Sequence, residues 1–425
     1  MKKSKFIFSY RKSENEIVMY NTFSKALVVV SNEEFEAFEK VATGTTSVLD
    51  ESTVEELKNQ GFILGDGYDE IAFLKYFHYK TKFSNELLSL TIAPTLDCNF
   101  ACPYCYETAR KGKMSQEVQD KLLEYITKKI AEGAKRVDIT WYGGEPLLCP
   151  EIVDYLASNI KMLCEKAGVR LDMSLVTNGY LLSQNIVEMF VRNDIDNIQI
   201  TLDGMEENHD KRRYLHDGRG TFQKIVSNLS LFKGTSVNVN IRMNVDVHNR
   251  GDYAKLKKII DAIDGVKMGV YPAAVEPLNE RKEERKDYYM SSTEFEKFIR
   301  DSYVDSEVCD GGLDVIDNRR YFCAAELENS YVVDEKGNFY KCWDEIGNSE
   351  NICFNVTDLD DINYDPIVKY VADDPFSNEK CTSCKFLPIC FGGCRFQKNM
   401  LKKSVCNFSD ETLKSYIETK LLREV

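Results

Sequence analysis

Cys98-Asn-Phe-Ala-Cys102-Pro-Tyr-Cys105 sets three thiols at a C-x3-C-x2-C spacing on one tight loop. Soft thiolates so placed can hold three irons of a cubane four-iron cluster and leave the fourth iron open. An open iron can chelate a small molecule through an amine and a carboxylate, which an all-cysteine cluster cannot do. The alternative is a zinc loop completed by a distant ligand, although the chain has only four histidines, His78, His209, His216 and His248, for mixed zinc sites. Nine further cysteines run from Cys309 to Cys406, and Cys149 and Cys164 fit no spacing pattern and read as buried core thiols. Fourteen cysteines in a long chain without a signal-peptide pattern point to metal or redox chemistry rather than disulfides.

The elements that must position these thiols repeat from about residue 86 to 275. Runs of strand type, Leu88–Ala93, Val137–Tyr142, Leu171–Thr177, Ile195–Leu202, Val237–Val245 and Val266–Tyr271, alternate with amphipathic helices. Ser115 marks one helix start, Pro150 a first turn, and Gly133 and Gly168 two helix ends. Six βα units in succession imply an α/β fold, a parallel right-handed (β/α)6 partial barrel over residues 86–286, whose chemistry sits at the C-terminal strand ends. The cysteine loop follows the first strand directly. Gly143-Gly144-Glu145-Pro146 follows the second, Thr177-Asn178-Gly179 ends the third, Thr201-Leu202-Asp203-Gly204 the fourth, and Arg242, Asn244 and Asp246 lie on the fifth. Glycines let a backbone approach a ligand closely, and a carboxylate matches an ammonium. Gly218-Arg-Gly220 does not complete a dinucleotide fingerprint, since Gln223 takes the third glycine's place. The charged stretch Glu276–Lys286 reads as a surface linker, and 287–425 as a cysteine-rich domain.

Residues 1–85 contain no cysteine, a compositional break that marks an N-terminal module. Lys5–Tyr10, Glu16–Tyr20 and Ala26–Val30 read as strands; capping boxes at Ser31–Glu34 and Ser52–Glu55 start two helices, and Phe62-Ile63-Leu64 returns as a strand. This is a small winged-helix-like pattern. Its 11 Lys plus Arg against 13 Asp plus Glu suit a peptide better than phosphates. The whole chain has a formal charge of −14, which argues against nucleic-acid or anionic-membrane partners. No apolar run approaches the roughly 20 residues that span a bilayer, and a cytoplasmic location is expected.

The cysteine loop, its place after the first strand, and the Gly-Gly-Glu-Pro turn resemble the radical SAM enzymes. That resemblance implies a 4Fe-4S cluster on Cys98, Cys102 and Cys105, with S-adenosylmethionine held by Gly143, Gly144 and Glu145, by Thr177 and Asn178, by Arg242, and by Tyr104, whose backbone would lie against adenine. Cys323-x13-Gly337-x4-Cys342 followed by Cys381-x2-Cys384-x5-Cys390-x3-Cys394 and Cys406 is similar to the SPASM-domain signature. It implies two auxiliary 4Fe-4S clusters, three in all. The first would use Cys323, Cys342 and Cys394, with Cys309 as fourth ligand, Cys353 as second choice, or an open iron; the second would use Cys381, Cys384, Cys390 and Cys406. A pair of zinc sites is the bland reading of the same domain.

Taken together, the chain resembles the radical SAM/SPASM maturases of ribosomally made peptides, with residues 1–85 as the peptide-recognition element. The implied activity is reductive cleavage of S-adenosylmethionine and radical modification of a precursor peptide carrying a leader segment, forming a thioether or carbon–carbon crosslink. A reductase such as flavodoxin or ferredoxin would supply electrons. Two rivals are an anaerobic sulfatase-maturating enzyme, which makes formylglycine and leaves the N-terminal module unexplained, and a non-enzymatic iron–sulfur regulator, which the acidic module disfavours.

Overall fold

The computed structural model describes residues 1–41, 49–105, 107, 110–275, 289–304, 320–402, 406 and 408–423. The Glu276–Lys286 linker and Cys309 lie outside them. The chain packs as two compact units: Met1–Phe83, Val315–Leu327 and Val371–Val425 form one, Ser84–Asp314 and Glu328–Tyr370 the other.

In the first unit β1 (Lys2–Lys3) pairs with β5 (Ile63–Leu64), and β2 (Ile7–Arg11), β3 (Glu16–Asn21) and β4 (Leu27–Ser31) form an antiparallel sheet in the order β2-β3-β4. Helices Asn32–Val41, Glu51–Asn59 and Glu70–Lys82 follow. The first capping box is present: Ser31 N donates to Glu34 Oε2 at 2.7 Å and Glu34 N to Ser31 Oγ at 3.2 Å. The second is not. Asp50 caps that helix by accepting from Thr53 N at 2.9 Å, because a carboxylate answers the positive helix start better than the Ser52 hydroxyl.

Strand β3 is buried along nearly its whole length, so both faces of the sheet need cover. Ile17 and Met19 pack with Phe38, Val41 and Leu57 on one face. Val18 and Tyr20 turn the other way, with Phe8, onto Leu413 and Ile417 near the C-terminus. Phe6 and Leu74 share a further cluster with Phe376, Leu387 and Phe391. The N-terminal strands and the last 55 residues therefore have common cores, which the expected segments 1–85 and 287–425 do not convey.

The second unit is built on six parallel strands, β6 (Leu87–Ile92), β7 (Arg136–Trp141), β8 (Arg170–Thr177), β9 (Ile195–Thr201), β10 (Asn238–Val245) and β11 (Met268–Ala274). The free side of β6 is covered by β12 (Ser330–Val333), itself followed by β13 (Asn338–Tyr340) and β14 (Phe354–Asn355). The order is β11-β10-β9-β8-β7-β6-β12-β13-β14. Helices Gln116–Ala131, Pro150–Ala167, Gln184–Arg192, Phe222–Leu229 and Tyr253–Asp261 connect the parallel strands. Alternate strand residues such as Val137, Ile139 and Trp141 are buried in the main core. Many of their neighbours on the other face are polar, and register aligns Thr91, Thr140, Ser174, Asn197 and Asn238 in one row across five strands. Among the described residues no helix is long and apolar enough to cross a membrane.

Arg110, just after the cysteine loop, donates to Asp334 Oδ2 at 2.6 Å and Glu335 Oε1 at 2.8 Å in the β12–β13 turn. Both carboxylates are buried. Arg110→Ala should cost about 3 kcal/mol by taking the cation from two buried carboxylates, although Asp334 keeps its donors from Lys336, Asn338 and Tyr340; this would be seen as a fall of several degrees in Tm, and an unchanged Tm would show that the turn does not depend on this contact.

Candidate functional site

The chain leaves β6 at Ile92 and turns through Thr95 and Asp97 into Cys98. Asp97 N donates to Thr95 Oγ1 at 3.0 Å, and Cys98 N to Asp97 Oδ1 at 3.0 Å. On its far side the cysteine loop is pinned by residues 214–216: Ala101 N donates to Tyr214 O at 2.9 Å, and His216 Nε2 lies 2.9 Å from Cys98 O. Burial pushes the Cys98 thiol up to about 12 and raises that of Cys102. The Arg213 guanidinium opposes this at Cys98, Cys102 and Cys105 alike. One cation thus serves all three thiols, and thiolate is the form that binds iron. Arg213 Nε and Asn99 Nδ2 are buried donors without a partner in the described structure. Thiols, a shared cation and spare donors fit an anionic iron–sulfur cluster on this loop.

The Gly-Gly-Glu turn after β7 is packed against the chain entering the cysteine loop. Gly144 N donates to Thr95 O at 3.2 Å and Glu145 N to Asp97 O at 2.9 Å. A Cβ on Gly143 would stand 2.4 Å from Thr95 O, and one on Gly144 2.2 Å from Asp97 O. The glycines are required by this chain's own backbone, before any ligand is considered. Gly143 also has a φ of 110°, a conformation that suits glycine. The Glu145 carboxylate, fully buried, accepts from Leu147 N at 3.0 Å, Thr177 Oγ1 at 2.7 Å and Asn178 N at 2.7 Å. Burial raises its pKa, and these three donors work against the rise. Asn178 Nδ2 in turn donates to Asn99 Oδ1 at 2.7 Å. Glu145, Thr177 and Asn178 therefore join the ends of β7 and β8 to the cysteine loop.

Tyr104 lies at the centre of a second group. Its hydroxyl contacts Asp203 Oδ2, accepts from Arg213 Nη1 at 2.7 Å, and lies 3.3 Å from Asn244 Nδ2. Asn244 N donates to Asp203 Oδ1 at 3.1 Å, and Arg242 Nε to Asn244 Oδ1 at 2.9 Å. Arg212 pairs with Asp246, and its guanidinium covers the Tyr104 ring at 5.1 Å. His209 accepts from Asp203 N at 3.1 Å and meets Thr221 at 3.0 Å; burial lowers its pKa to about 4, so the ring is neutral. The sequence reading picked out Asp203 and Asp246 but not Arg212, Arg213 or His209. The available signal was the dense run His209-Asp-Lys-Arg-Arg213 shortly after a strand end.

The C-terminal cysteines fall in both units. In the first, burial and Glu326 push the Cys323 thiol up to about 12, and nearby Cys394 adds to the rise. Cys381 is raised by burial and then by Cys384 and Cys406. Cys390 closes the helix Leu387–Cys390. In the second unit, Cys342 Sγ lies 3.6 Å from Asp344 Oδ2, while Cys353 is buried in the core with Tyr331, Phe339 and Phe354. Among the described residues no three His, Cys, Asp or Glu side chains converge on a single metal-ion position.

Residues 92–260 match the model of the radical SAM superfamily. The chain is 26% identical over 366 residues to the cysteine-type anaerobic sulfatase-maturating enzyme of Clostridium novyi, covering 78% of this chain and 94% of that protein. It is 26% identical to the serine-type enzyme of Klebsiella aerogenes, over 70% of this chain and 76% of that one. Among solved structures, native anSMEcpe with bound AdoMet and Kp18Cys peptide aligns at a TM-score of 0.62 and 22% identity, over 79% of this chain and 98% of that one. Streptococcus suis SuiB bound to S-adenosylmethionine aligns at 0.54 and 16% identity, over 97% of this chain and 98% of that one. These two likenesses are of fold.

The contact between the glycine turn and the Thr95–Asp97 segment can be tested directly. Gly144→Ala should destabilise the fold by about 1–3 kcal/mol through overpacking and lower the iron retained after anaerobic purification. Wild-type Tm and iron content would mean that the turn can retreat without disturbing the cysteine loop.

Proposed function

We propose that the protein is a radical SAM maturase that oxidises a Cys or Ser side chain of a peptide substrate to formylglycine, a reading whose class is supported by the radical SAM match over residues 92–260. The observation that carries the site is the packing of the Gly143-Gly144-Glu145 turn against the Thr95–Asp97 segment that leads into Cys98, Cys102 and Cys105, with Asn178 reaching Asn99 inside that loop. The choice of reaction is supported by the likeness to the Clostridium novyi enzyme along 94% of its length. This reverses the order of the two peptide readings drawn from the sequence. The second reading, a crosslink in a ribosomally made precursor peptide, is favoured by one observation: the SuiB fold accounts for 97% of this chain against 79% for anSMEcpe. A SuiB structure is described as bound to precursor peptide SuiA.

When bound, the loop cluster and S-adenosylmethionine supply an electron and a 5′-deoxyadenosyl radical able to remove hydrogen from an unactivated C–H bond. In this reading Cys98, Cys102 and Cys105 hold the cluster, while Gly143, Gly144, Glu145, Thr177, Asn178, Arg242 and Tyr104 form the walls for the cosubstrate. Glu145 acts by fixing the turn, since its carboxylate already has three donors. The polar row Thr91, Thr140, Ser174, Asn197 and Asn238 offers an extended peptide hydrogen bonds without tying it to one sequence. Two auxiliary clusters belong to the reading. One rests on Cys323, Cys342 and Cys394, with Cys309, Cys353 or an open iron as its fourth position; the other on Cys381, Cys384, Cys390 and Cys406. Residues 1–85 serve as a winged-helix-like leader-binding element under the second reading, with β4 as the strand edge a peptide would extend. Flavodoxin or ferredoxin would deliver the electrons.

Anaerobic incubation with sulfatase-type peptides bearing Cys or Ser should yield an aldehyde that a hydrazide probe captures. Replacing Cys98, Cys102 and Cys105 by Ala should remove about four irons per chain and abolish S-adenosylmethionine cleavage. Loss of two hydrogens from a peptide without an aldehyde would favour the crosslink reading. Cosubstrate cleavage that leaves every tested peptide unchanged would refute formylglycine formation.

A further inference from the structure

Arg395 is only 1% exposed, one of the largest fully buried side chains in the protein. Its Nη2 donates to Glu326 Oε2 at 2.7 Å and to Phe391 O at 2.7 Å; Nη1 donates to Gly393 O at 2.5 Å, and Nε lies 2.8 Å from Asp373 Oδ2. Glu326, equally buried, uses its other oxygen to accept the backbone amides of Phe322 and Cys323. Phe391, Gly392 and Gly393 all have left-handed φ values, 44°, 87° and 77°, immediately before Cys394. The guanidinium collects two carbonyls of this unusual turn. A continuous path therefore runs from the Cys323 amide through Glu326 and Arg395 to the turn that presents Cys394. Asp373 extends it, since it pairs with Lys398 and its carbonyl accepts from the buried Lys82 Nζ at 2.8 Å.

A buried ion pair is a poor source of net stability compared with apolar packing. Its planar fork, however, fixes three acceptors in one geometry, with the Asp373 carboxylate as an ion-pair neighbour, as groups behind metal ligands do. We propose that Arg395, acting through Glu326, is a positioning residue that sets Cys323 and Cys394 side by side as ligands of one iron–sulfur cluster. The inference rests on the reading above that these two cysteines share a cluster. Arg395 and Glu326 are not ligands; they act on the two backbone segments that carry the ligands. Without the guanidinium the Glu326 charge is buried alone, and the turn before Cys394 loses the group that gathers its carbonyls.

The test uses the full chain, purified anaerobically as Cys323→Ala, Cys394→Ala, Arg395→Gln, Arg395→Lys and Glu326→Gln, with iron per chain and the electron paramagnetic resonance spectrum of the reduced protein as readouts. The two cysteine variants define which signal and which iron belong to the shared cluster. Arg395→Gln should lose that same iron or shift that same signal, while the signal that depends on Cys98, Cys102 and Cys105 persists. Arg395→Lys keeps the charge without the fork and should restore the signal only in part. A wild-type spectrum and full iron in Arg395→Gln would overturn the proposal. Should that variant fail to fold, Glu326→Gln decides by the same two readouts: a loss or shift of the shared signal supports the proposal, and full retention overturns it. Full iron and an unchanged spectrum in both cysteine variants would sink the ligand reading itself, and the positioning role with it.

Discussion

The backbone contact between Gly143-Gly144 and the Thr95–Asp97 segment is the constraint on which the rest of the site depends. Two strand-end loops touch at distances that no side chain permits, 2.2–2.4 Å from where a Cβ would stand. Because they touch, Glu145 is carried under the end of β8, where Thr177 and Asn178 meet its carboxylate. Asn178 then reaches Asn99 inside the cysteine loop. Removing the approach would separate three strand ends, not one. The thiols follow from this contact at second hand, since Cys98 directly follows the segment that the glycines hold.

Most of the parallel sheet was legible because buried and polar residues alternate strictly along β6, β7 and β10. The last strand was misplaced by a few residues, Met268–Ala274 in place of Val266–Tyr271. The observed strand runs on through Pro272, because among the described residues β11 pairs only with β10, and an edge strand tolerates proline. The cysteine spacing was legible at once, whereas Arg212 and Arg213 were not, because a charged run after a strand reads as solvated surface. The glycines were read as making room for a ligand. Their first neighbour proves to be the chain itself, a contact between loops about fifty residues apart that local pattern cannot disclose. Pairing of the N-terminal strands with the C-terminal helices was hidden for the same reason.

Both units take charge inside. In the second it gathers at the strand ends, on Glu145, Asp203, Arg212 and Asp246, and in the β12–β13 turn, on Asp334 and Glu335. In the first, Glu70, Lys82, Glu326 and Arg395 are buried. Each of these has a partner, as Ser4 for Glu70 and the Asp373 carbonyl for Lys82. Buried charges held by such partners favour one arrangement over its near neighbours, because a shift strands a donor or acceptor in a low dielectric. That is a suitable setting for cysteines whose relative placement matters.

The shared cores of the first unit also have a meaning in time. Leu413 and Ile417, which cover Phe8, Val18 and Tyr20, are made about four hundred residues after them. At ordinary elongation rates roughly 20–80 s separate the two events. For that interval one face of the β2-β3-β4 sheet has no native cover, and the intervening sheet of the second unit must be translated first. These strands are thus finished long after they are made. Until the closing helix is made, Phe8 and Tyr20 lie on a face of that sheet without its native cover.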